Sequence, residues 1–180
     1  VSANTISGFS VVTYTNAASG TVGHGLGVAP AMVIYKDRTN AYDWIVLHQS
    51  LTNMSGYFLR LNATDAVASG LGLGGNPTSS VIYTNSSIIA NSASSLAYCF
   101  AAIAGYSAFG SYTGNGSTDG PFVYTGFKPA YVLLKSSTEA ATNWEVYDNK
   151  RSGYNNANDR LYPNLSNAED SSTRINLFSN

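Results

Sequence analysis

Short stretches of β-branched, aromatic and aliphatic residues recur along the chain, separated by clusters of Gly, Ser, Asn and Thr. No stretch of about eleven residues or more shows the i, i+3, i+4, i+7 spacing of an amphipathic helix. Short apolar runs bounded by turn residues are typical of β-strands. The pattern therefore predicts an all-β protein, with at most one helical turn at 165–170.

The predicted strands fall into two series along the chain. The first occupies 9–15, 31–36, 44–48, 57–61, 81–84 and 96–103, and the second occupies 106–112, 122–125, 130–135, 144–147, 160–162 and 175–178. Their spacing of about 8 to 15 positions favours an antiparallel β-sandwich of lectin-like or jelly-roll-like architecture.

The two series resemble one another in sequence. Gly-Phe-Ser-Val at 8–11 matches Gly-Tyr-Ser-Ala at 105–108, and Pro30 and Trp44 match Pro129 and Trp144 at a nearly constant offset. Agreement over about forty positions predicts an internal duplication, which favours a structural or binding protein over a single-site catalyst.

The predicted duplication divides the chain into a first repeat at 1–104 and a second at 105–180, which form separate units or pack as one sandwich. Nothing in the second repeat matches 96–104, so we expect it to stop one strand short, most simply by truncation. Because the chain starts at Val1 rather than Met, we expect a processed or internal fragment.

Charge and composition narrow the class of protein. Charged residues make up 11% of the chain and the net charge is −1, which gives no basic surface for nucleic acid or anionic lipid. No apolar run approaches the roughly 18 residues of a membrane-spanning helix. The abundant Ser, Thr, Asn and Gly suit a protein that works outside the cell or within a large assembly.

Residues that often carry chemistry are sparse. Cys99 stands alone among alternating apolar residues, so we predict a small buried core residue rather than a nucleophile. His24 and His48 have no partners at metal-ligand spacing. A metal ion on the threefold axis of a fibre is the alternative to hydrogen-bonded histidines. We predict no metal, no cofactor and no catalytic residue.

The carboxylates are not arranged for glycoside hydrolysis. Glu145 and Asp148 share a predicted strand, but three positions apart they project from opposite faces. Asp43 takes the position of Asn143 in the other repeat, which indicates a turn-forming residue rather than an acid or base.

Recurring residues are predicted to be structural. Trp44 and Trp144 occupy one repeat position, and a tryptophan present in both copies is most simply a core residue of each. Pro30 and Pro129 precede strands, where the missing N–H group costs no ladder hydrogen bond.

Aromatic residues in unmatched loops are the candidate ligand-binding groups. Exposed rings that could stack on sugars are predicted at Tyr42, Tyr57 and Tyr154. The neighbouring Asn155 and Asn156 would offer amides to sugar hydroxyl groups.

Several segments resemble an uncharacterised repeat domain of tailed-phage virion proteins, which often stands beside lectin-like modules. They read Gly-His-Gly-Leu-Gly-Val-Ala-Pro-Ala-Met-Val-Ile at 23–34, Ala-Tyr-Cys-Phe-Ala at 97–101, Gly-Tyr-Ser at 105–107 and Gly-Pro-Phe-Val-Tyr-Thr-Gly-Phe-Lys-Pro-Ala at 120–130. The resemblance extends from about Gly8 to Asn180. It implies a β-sandwich in a tail fibre, a tail-associated protein or a capsid-surface fibre, and it brings no catalytic residue.

The main hypothesis is therefore a non-enzymatic structural module of the phage virion. We expect a homo-oligomer, a trimer above all, that contacts other virion proteins and a host-surface glycan, where many weak sugar contacts add up. One alternative is a polysaccharide-degrading tail-spike enzyme, which would release product and lose activity on substitution of Glu145 or Asp148. The other is a non-viral lectin-like domain, which a monomeric mass would favour.

Overall fold

Strands dominate the structure. A computed structural model describes residues 1–151 and 157–178, and this part of the chain contains no helix that could cross a membrane. The strands are β1 (Ser2–Asn4), β2 (Phe9–Thr15), β3 (Ser19–Gly23), β4 (Met32–Asp37), β5 (Ile45–His48), β6 (Tyr57–Arg60), β7 (Ala68–Ser69), β8 (Val81–Asn85), β9 (Ser94–Phe100), β10 (Tyr131–Leu134), β11 (Glu145–Asp148), β12 (Ala157–Leu161) and β13 (Asp170–Ile175).

These strands form three antiparallel sheets. The first sheet has the order β1, β2, β9, β4, β5, β6, β7, the second has the order β10, β11, β12, β13, and β3 pairs with β8 in a two-stranded sheet. Every pairing within them is antiparallel. The predicted all-β antiparallel class is confirmed, and the lectin-like or jelly-roll-like sandwich stays a prediction.

Strand β9 lies inside the first sheet, paired along its length with β2 on one side and β4 on the other. Its alternate residues Ser95, Ala97 and Cys99 have no exposed surface. Small side chains at these positions leave room for the larger residues of the neighbouring strands, among them Tyr35 and Val12, both also fully buried. Cys99 therefore serves as a small core residue in a strand that links the two halves of the sheet.

The first sheet is covered on both faces. One face carries Val12, Val33, Tyr35 and Leu47, which belong to a core that also contains Ile82 from the two-stranded sheet. The other face carries a second apolar cluster, whose buried members are Met32, Ile34, Val46, Leu59 and Trp144. A sheet buried on both sides needs apolar residues at successive positions. This explains the unbroken apolar runs at 32–35 and 45–47.

The hairpin of β10 and β11 has the same register as the hairpin of β4 and β5. Val33 lies opposite Leu47 in the first, and Val132 lies opposite Tyr147 in the second, at the positions that the sequence comparison equates. This agreement supports the predicted match between the two hairpins. A duplication of the whole unit, with its boundary between 104 and 105, stays a prediction.

The segments leading into these hairpins also agree. Pro30 and Pro129 each stand two residues before the first strand of their hairpin. Gly27 and Gly126, three residues before the prolines, have positive φ angles of 75° and 83°. A positive φ is readily adopted only by glycine, so the two segments enter their hairpins through the same kind of turn.

The second half departs from the predicted strands. Residues 106–112 and 122–125 form no strand, although their composition favours one. In the first half, 106–112 match β2, which pairs with β9, and 122–125 match the end of β3 and the residues after it, where β3 pairs with β8. Neither segment of the second half has such a partner in the described residues, and a strand without a partner leaves its backbone groups unpaired. These two predictions were wrong for that reason.

Other differences are smaller. The last strand lies at 170–175 rather than 175–178, and residues 165–169 form no helical turn. Strands β1, β3 and β7 were not predicted, because their sequences are polar or very short. They form strands because they pair with a neighbouring strand, and not because of their own composition.

Substitution of two matched glycines tests the packing of the first sheet. Gly8 and Gly105 have positive φ angles of 66° and 75°, but a Cβ atom on Gly8 would lie 2.7 Å from the Ala101 carbonyl oxygen, whereas one on Gly105 would meet nothing within 4 Å. We expect Gly105→Ala to lower the free energy of unfolding by about 1–2 kcal/mol through backbone strain alone. Gly8→Ala should cost clearly more in urea unfolding. Equal losses would contradict the close contact at Gly8.

Candidate functional site

Both histidines make hydrogen bonds to backbone groups. His24 is fully buried; its Nε2 lies 3.0 Å from the Thr78 carbonyl oxygen, and its Nδ1 accepts a hydrogen bond from the Leu26 N–H at 3.2 Å. The ring therefore donates through Nε2, and both nitrogens are occupied. Nδ1 of His48 accepts from the Ser50 N–H at 3.1 Å. The described residues contain no group of three or more His, Cys, Asp or Glu side chains that could hold a metal ion.

Cys99 and Asp37 are buried for structural reasons. Burial raises the pKa of the Cys99 thiol to about 12, which disfavours the thiolate that a nucleophile requires. Burial also acts to raise the pKa of Asp37, but hydrogen bonds from Asn40, Thr39 and Ala90 outweigh it and hold that pKa below its ordinary value. The Asp37 carboxylate thereby ties the end of β4 to the loop before β9.

One asparagine anchors each tryptophan, at the residue directly before β5 and before β11. The Oδ1 atom of Asn62 accepts from the Trp44 N–H at 2.9 Å, and its Nδ2 donates to Asp43 at 2.8 Å. Asn164 makes the same two contacts with Trp144 and Asn143, at 3.0 and 2.8 Å. A neutral amide oxygen accepts this bond as a carboxylate does, which explains why Asp43 and Asn143 exchange at one position.

Asn62 and Asn164 were not predicted as site residues. Each follows the third strand of its hairpin unit, at Leu-Asn after β6 and at Pro-Asn after β12. The two halves differ in length between the tryptophan and this asparagine, so a constant offset does not align them. An alignment that allowed the gap would have matched both.

The second sheet contains an ionic cluster centred on Arg160. Its guanidinium contacts Glu145 at 2.7 Å and Asp170 at 2.6 Å, while Tyr147 donates to Glu145 at 2.7 Å and Tyr162 donates to Asp170 at 2.9 Å. These contacts raise the pKa of Arg160 against the opposing effect of burial. Both carboxylates are bound to the same cation, which is suited to holding strands together.

Glu145 and Asp148 are not brought together as a pair of catalytic carboxylates. Glu145 binds Arg160, whereas Asp148 binds a different arginine, Arg151, at 2.7 Å. Hydrogen bonds from the Lys150 N–H and from Arg151 lower the pKa of Asp148, although burial opposes this.

Trp144 joins the two larger sheets. Its side chain is 4% exposed and lies in the second apolar cluster of the first sheet, the one with Met32 and Val46. Its indole Nε1 donates to the Arg60 carbonyl oxygen at 2.7 Å. Trp44 belongs to the same cluster but is only half-buried. The two tryptophans thus share one cluster between the halves, rather than each forming a separate core.

The predicted sugar-binding residues lie in different environments. Tyr42 is 47% exposed, whereas Tyr57 is half-buried in β6. Tyr154, Asn155 and Asn156 lie outside the described residues.

A shallow depression of about 250 Å³ lies beside Trp44, lined also by Leu61, Asn62 and Pro163. The amide of Asn62 is already engaged by Trp44 and Asp43. Glycan binding by the predicted residues stays a prediction.

Within the described residues, many of the exposed large apolar side chains lie at residues 106–131, which we call the aromatic segment. Its exposed members are Tyr106 (63%), Tyr112 (53%), Phe122 (68%), Val123 (47%), Tyr124 (73%) and Tyr131 (59%). Phe109 and Phe127 are half-buried instead. Phe109 packs on Phe100 at a ring distance of 6.3 Å, and its carbonyl oxygen accepts from Gln49, so the segment is fixed near its start.

Comparison with protein families matches residues 1–180 to a domain of unknown function, DUF7483. The chain belongs to this family. A search of curated proteins and a search of solved structures found no match. The description of the DUF7483 family gives no function. The virion setting that the sequence resemblance implies remains a prediction.

Replacement of each tryptophan by alanine tests their unequal burial in the DUF7483 domain. Trp144→Ala removes a buried ring and its hydrogen bond to Arg60, so we expect a loss of about 3–5 kcal/mol in the free energy of unfolding. Trp44→Ala removes a half-buried ring and should cost less. Denaturant titration measures both, with the remaining tryptophan as the fluorescent probe. A larger loss for Trp44→Ala would show that the shared cluster does not depend on Trp144.

The lowered pKa of Asp37 predicts a pH dependence of stability. A depressed folded-state pKa contributes stability above the unfolded value of about 3.9, and this contribution disappears as the pH falls through the folded value. Asp37→Asn should therefore be less stable at pH 7 and lose less stability than the wild type between pH 5 and about pH 2. Urea unfolding across this range is the measurement. Asp119→Asn, at an exposed position, is the control. Parallel curves for the wild type and Asp37→Asn would contradict the prediction.

Proposed function

We propose that this DUF7483 domain is a non-catalytic structural module that assembles with further copies of itself, in the virion setting that the sequence resemblance implies. The observation that carries the proposal is the aromatic segment. Large exposed apolar surfaces on soluble proteins mark sites of interaction with other proteins. Five aromatic side chains in one segment are each more than half exposed, and we expect them to form such a surface.

The length of the segment supports the same conclusion. Between β9 and β10, residues 101–130 form no strand and contain one isolated bridge, between Ile103 and Ser107. Loops longer than about 12–15 residues without secondary structure are uncommon in compact domains and usually serve a function. An assembly contact gives the exposed rings of this loop a role.

Electrostatics permits association between identical chains. The net charge is −1, with nine Lys and Arg residues against ten Asp and Glu residues. Net charge far from zero keeps proteins apart through repulsion, and this chain has almost none. A second copy therefore meets no general electrostatic barrier at the aromatic segment.

The buried reactive groups favour a structural role over catalysis. His24 is engaged through both ring nitrogens, Asp37 through four hydrogen bonds, and the Arg160 cluster through paired charges. Groups held in this way stabilise loops and strands. Contact with other virion proteins and with a host-surface glycan, through Tyr42 in particular, forms a secondary part of the proposal.

Solution mass tests the proposed assembly. We expect light scattering across about 1–100 µM to show trimers or larger species of the wild-type chain, since a multivalent fibre module acts through several copies. The double variant Phe122→Ser/Tyr124→Ser should shift toward monomer. Ile6→Ser is the matched control, because Ile6 is 86% exposed but lies outside the aromatic segment. A wild-type monomer at every concentration, or equal effects of both variants, would overturn the proposal.

A further inference from the structure

We propose that the outer edge of β10 is an acceptor site for a β-strand from another polypeptide chain, and that this strand has the residue pattern of β9. The inference rests on the proposed function, because it specifies one contact between the module and a neighbouring chain of the assembly. It is carried by a comparison between the two hairpins of the same protein.

The outer edge of β10 presents backbone groups at Tyr131 and Leu133. Asn149 donates its N–H to the Ala130 carbonyl oxygen at 3.1 Å, and the register of β10 with β11 places these two residues opposite each other. Hydrogen-bonded and non-hydrogen-bonded pairs alternate along an antiparallel ladder. Val132 and Leu134 therefore face β11 with their N–H and C=O groups, whereas Tyr131 and Leu133 direct theirs away from it.

The equivalent edge in the first hairpin is occupied. Residues 32–37 of β4 pair with β9 on the side opposite β5. In the described part of the chain, β10 is paired with β11 alone. Burial follows this difference: Met32 is 9% exposed, but Tyr131 at the same register position is 59% exposed.

The residues of β10 are suited to receiving a strand rather than repelling one. Proteins protect free edges with charged residues, proline, bulges or very short strands. The edge strand β1 is short and polar, β7 has two residues, and β13 begins with Asp170. The sequence of β10 is Tyr-Val-Leu-Leu, with no charge and no proline. Edges of this kind bind extended segments through main-chain hydrogen bonds.

The pairing of β4 with β9 specifies the incoming strand. Cys99 and Ala97 lie opposite Val33 and Tyr35, and Tyr98 lies opposite Ile34. If the incoming strand pairs with β10 as β9 pairs with β4, small residues lie opposite Val132 and Leu134, beside the apolar cluster around Tyr147. The same pairing puts an aromatic residue opposite Leu133, as Tyr98 lies opposite Ile34. The acceptor site thus prefers an antiparallel strand in which small and large apolar residues alternate.

A peptide with the β9 sequence tests this site. The probe is a fluorescent peptide of residues 94–101 with Ser replacing Cys99, and the control peptide has the same composition with small and large positions exchanged. Anisotropy titration of the full chain should show saturable binding of the first peptide and at least about tenfold weaker binding of the second. Equal binding of both peptides would overturn the proposed pattern.

Two variants of Tyr131 locate the binding to the edge. Tyr131→Pro removes the outward N–H without breaking a bond to β11, at the first residue of a strand, where proline is tolerated. Tyr131→Ala keeps the N–H and removes only the ring. Circular dichroism confirms that both remain folded. We expect about tenfold weaker binding or more for Tyr131→Pro, as the loss of one well-made hydrogen bond implies, and near wild-type affinity for Tyr131→Ala.

The peptide assay and the solution mass separate the two proposals. Unchanged peptide binding by Tyr131→Pro overturns the acceptor site. So does an absence of peptide binding by a wild-type chain that still forms oligomers, and this result leaves the proposed function standing. Edge-specific peptide binding by a chain that stays monomeric supports the acceptor site, while contradicting assembly of the chain with itself.

Discussion

Backbone pairing at the edges of β4 and β10 is the constraint on which the rest of the structure depends. In the first half of the chain, β9 lies between β2 and β4, so the hydrogen-bonding groups of three consecutive sheet strands are satisfied in ladders. In the second half no strand takes this position among the described residues, and the segment that corresponds to β2 stays irregular. The presence of one pairing strand thus distinguishes a large, well-buried sheet from a small sheet with an apolar edge.

Where the described residues offer no such strand, the residues of the hairpin also differ. Ile45 and Leu47 of β5 lie in the main apolar core, but their counterparts in β11 are Glu145 and Tyr147. Glu145 is balanced by Arg160 from the neighbouring strand, in a cluster that is partly exposed. A partly exposed position cannot hold an aliphatic residue without exposing it to water, whereas paired charges tolerate such a position. Tyr147 itself is fully buried. The second sheet instead buries its other face, through Trp144, on the first sheet.

The functional proposals follow from this incomplete burial. Groups that resemble catalytic residues, such as His24, Cys99 and the Glu145 carboxylate, are occupied by packing or by hydrogen bonds. The unsatisfied features are of a different kind: exposed aromatic rings between β9 and β10, and the outward backbone groups of β10. Contact with another polypeptide chain would satisfy both, whereas a small substrate would not. This is why we propose assembly rather than catalysis.

The sequence by itself determined the strand class, most strands of the first half and the match between two hairpins, because alternation, turn residues and repeated motifs are local properties. It indicated correctly that Cys99 is buried and that Asp43 and Asn143 serve one role. Tertiary structure decided which segments have partners: Ser19–Gly23 is polar yet forms a strand on β8, whereas the more apolar residues 122–125 do not. It also placed Trp144 between the sheets and not in a separate core. Pairing and burial join residues far apart in the chain, so local composition does not specify them.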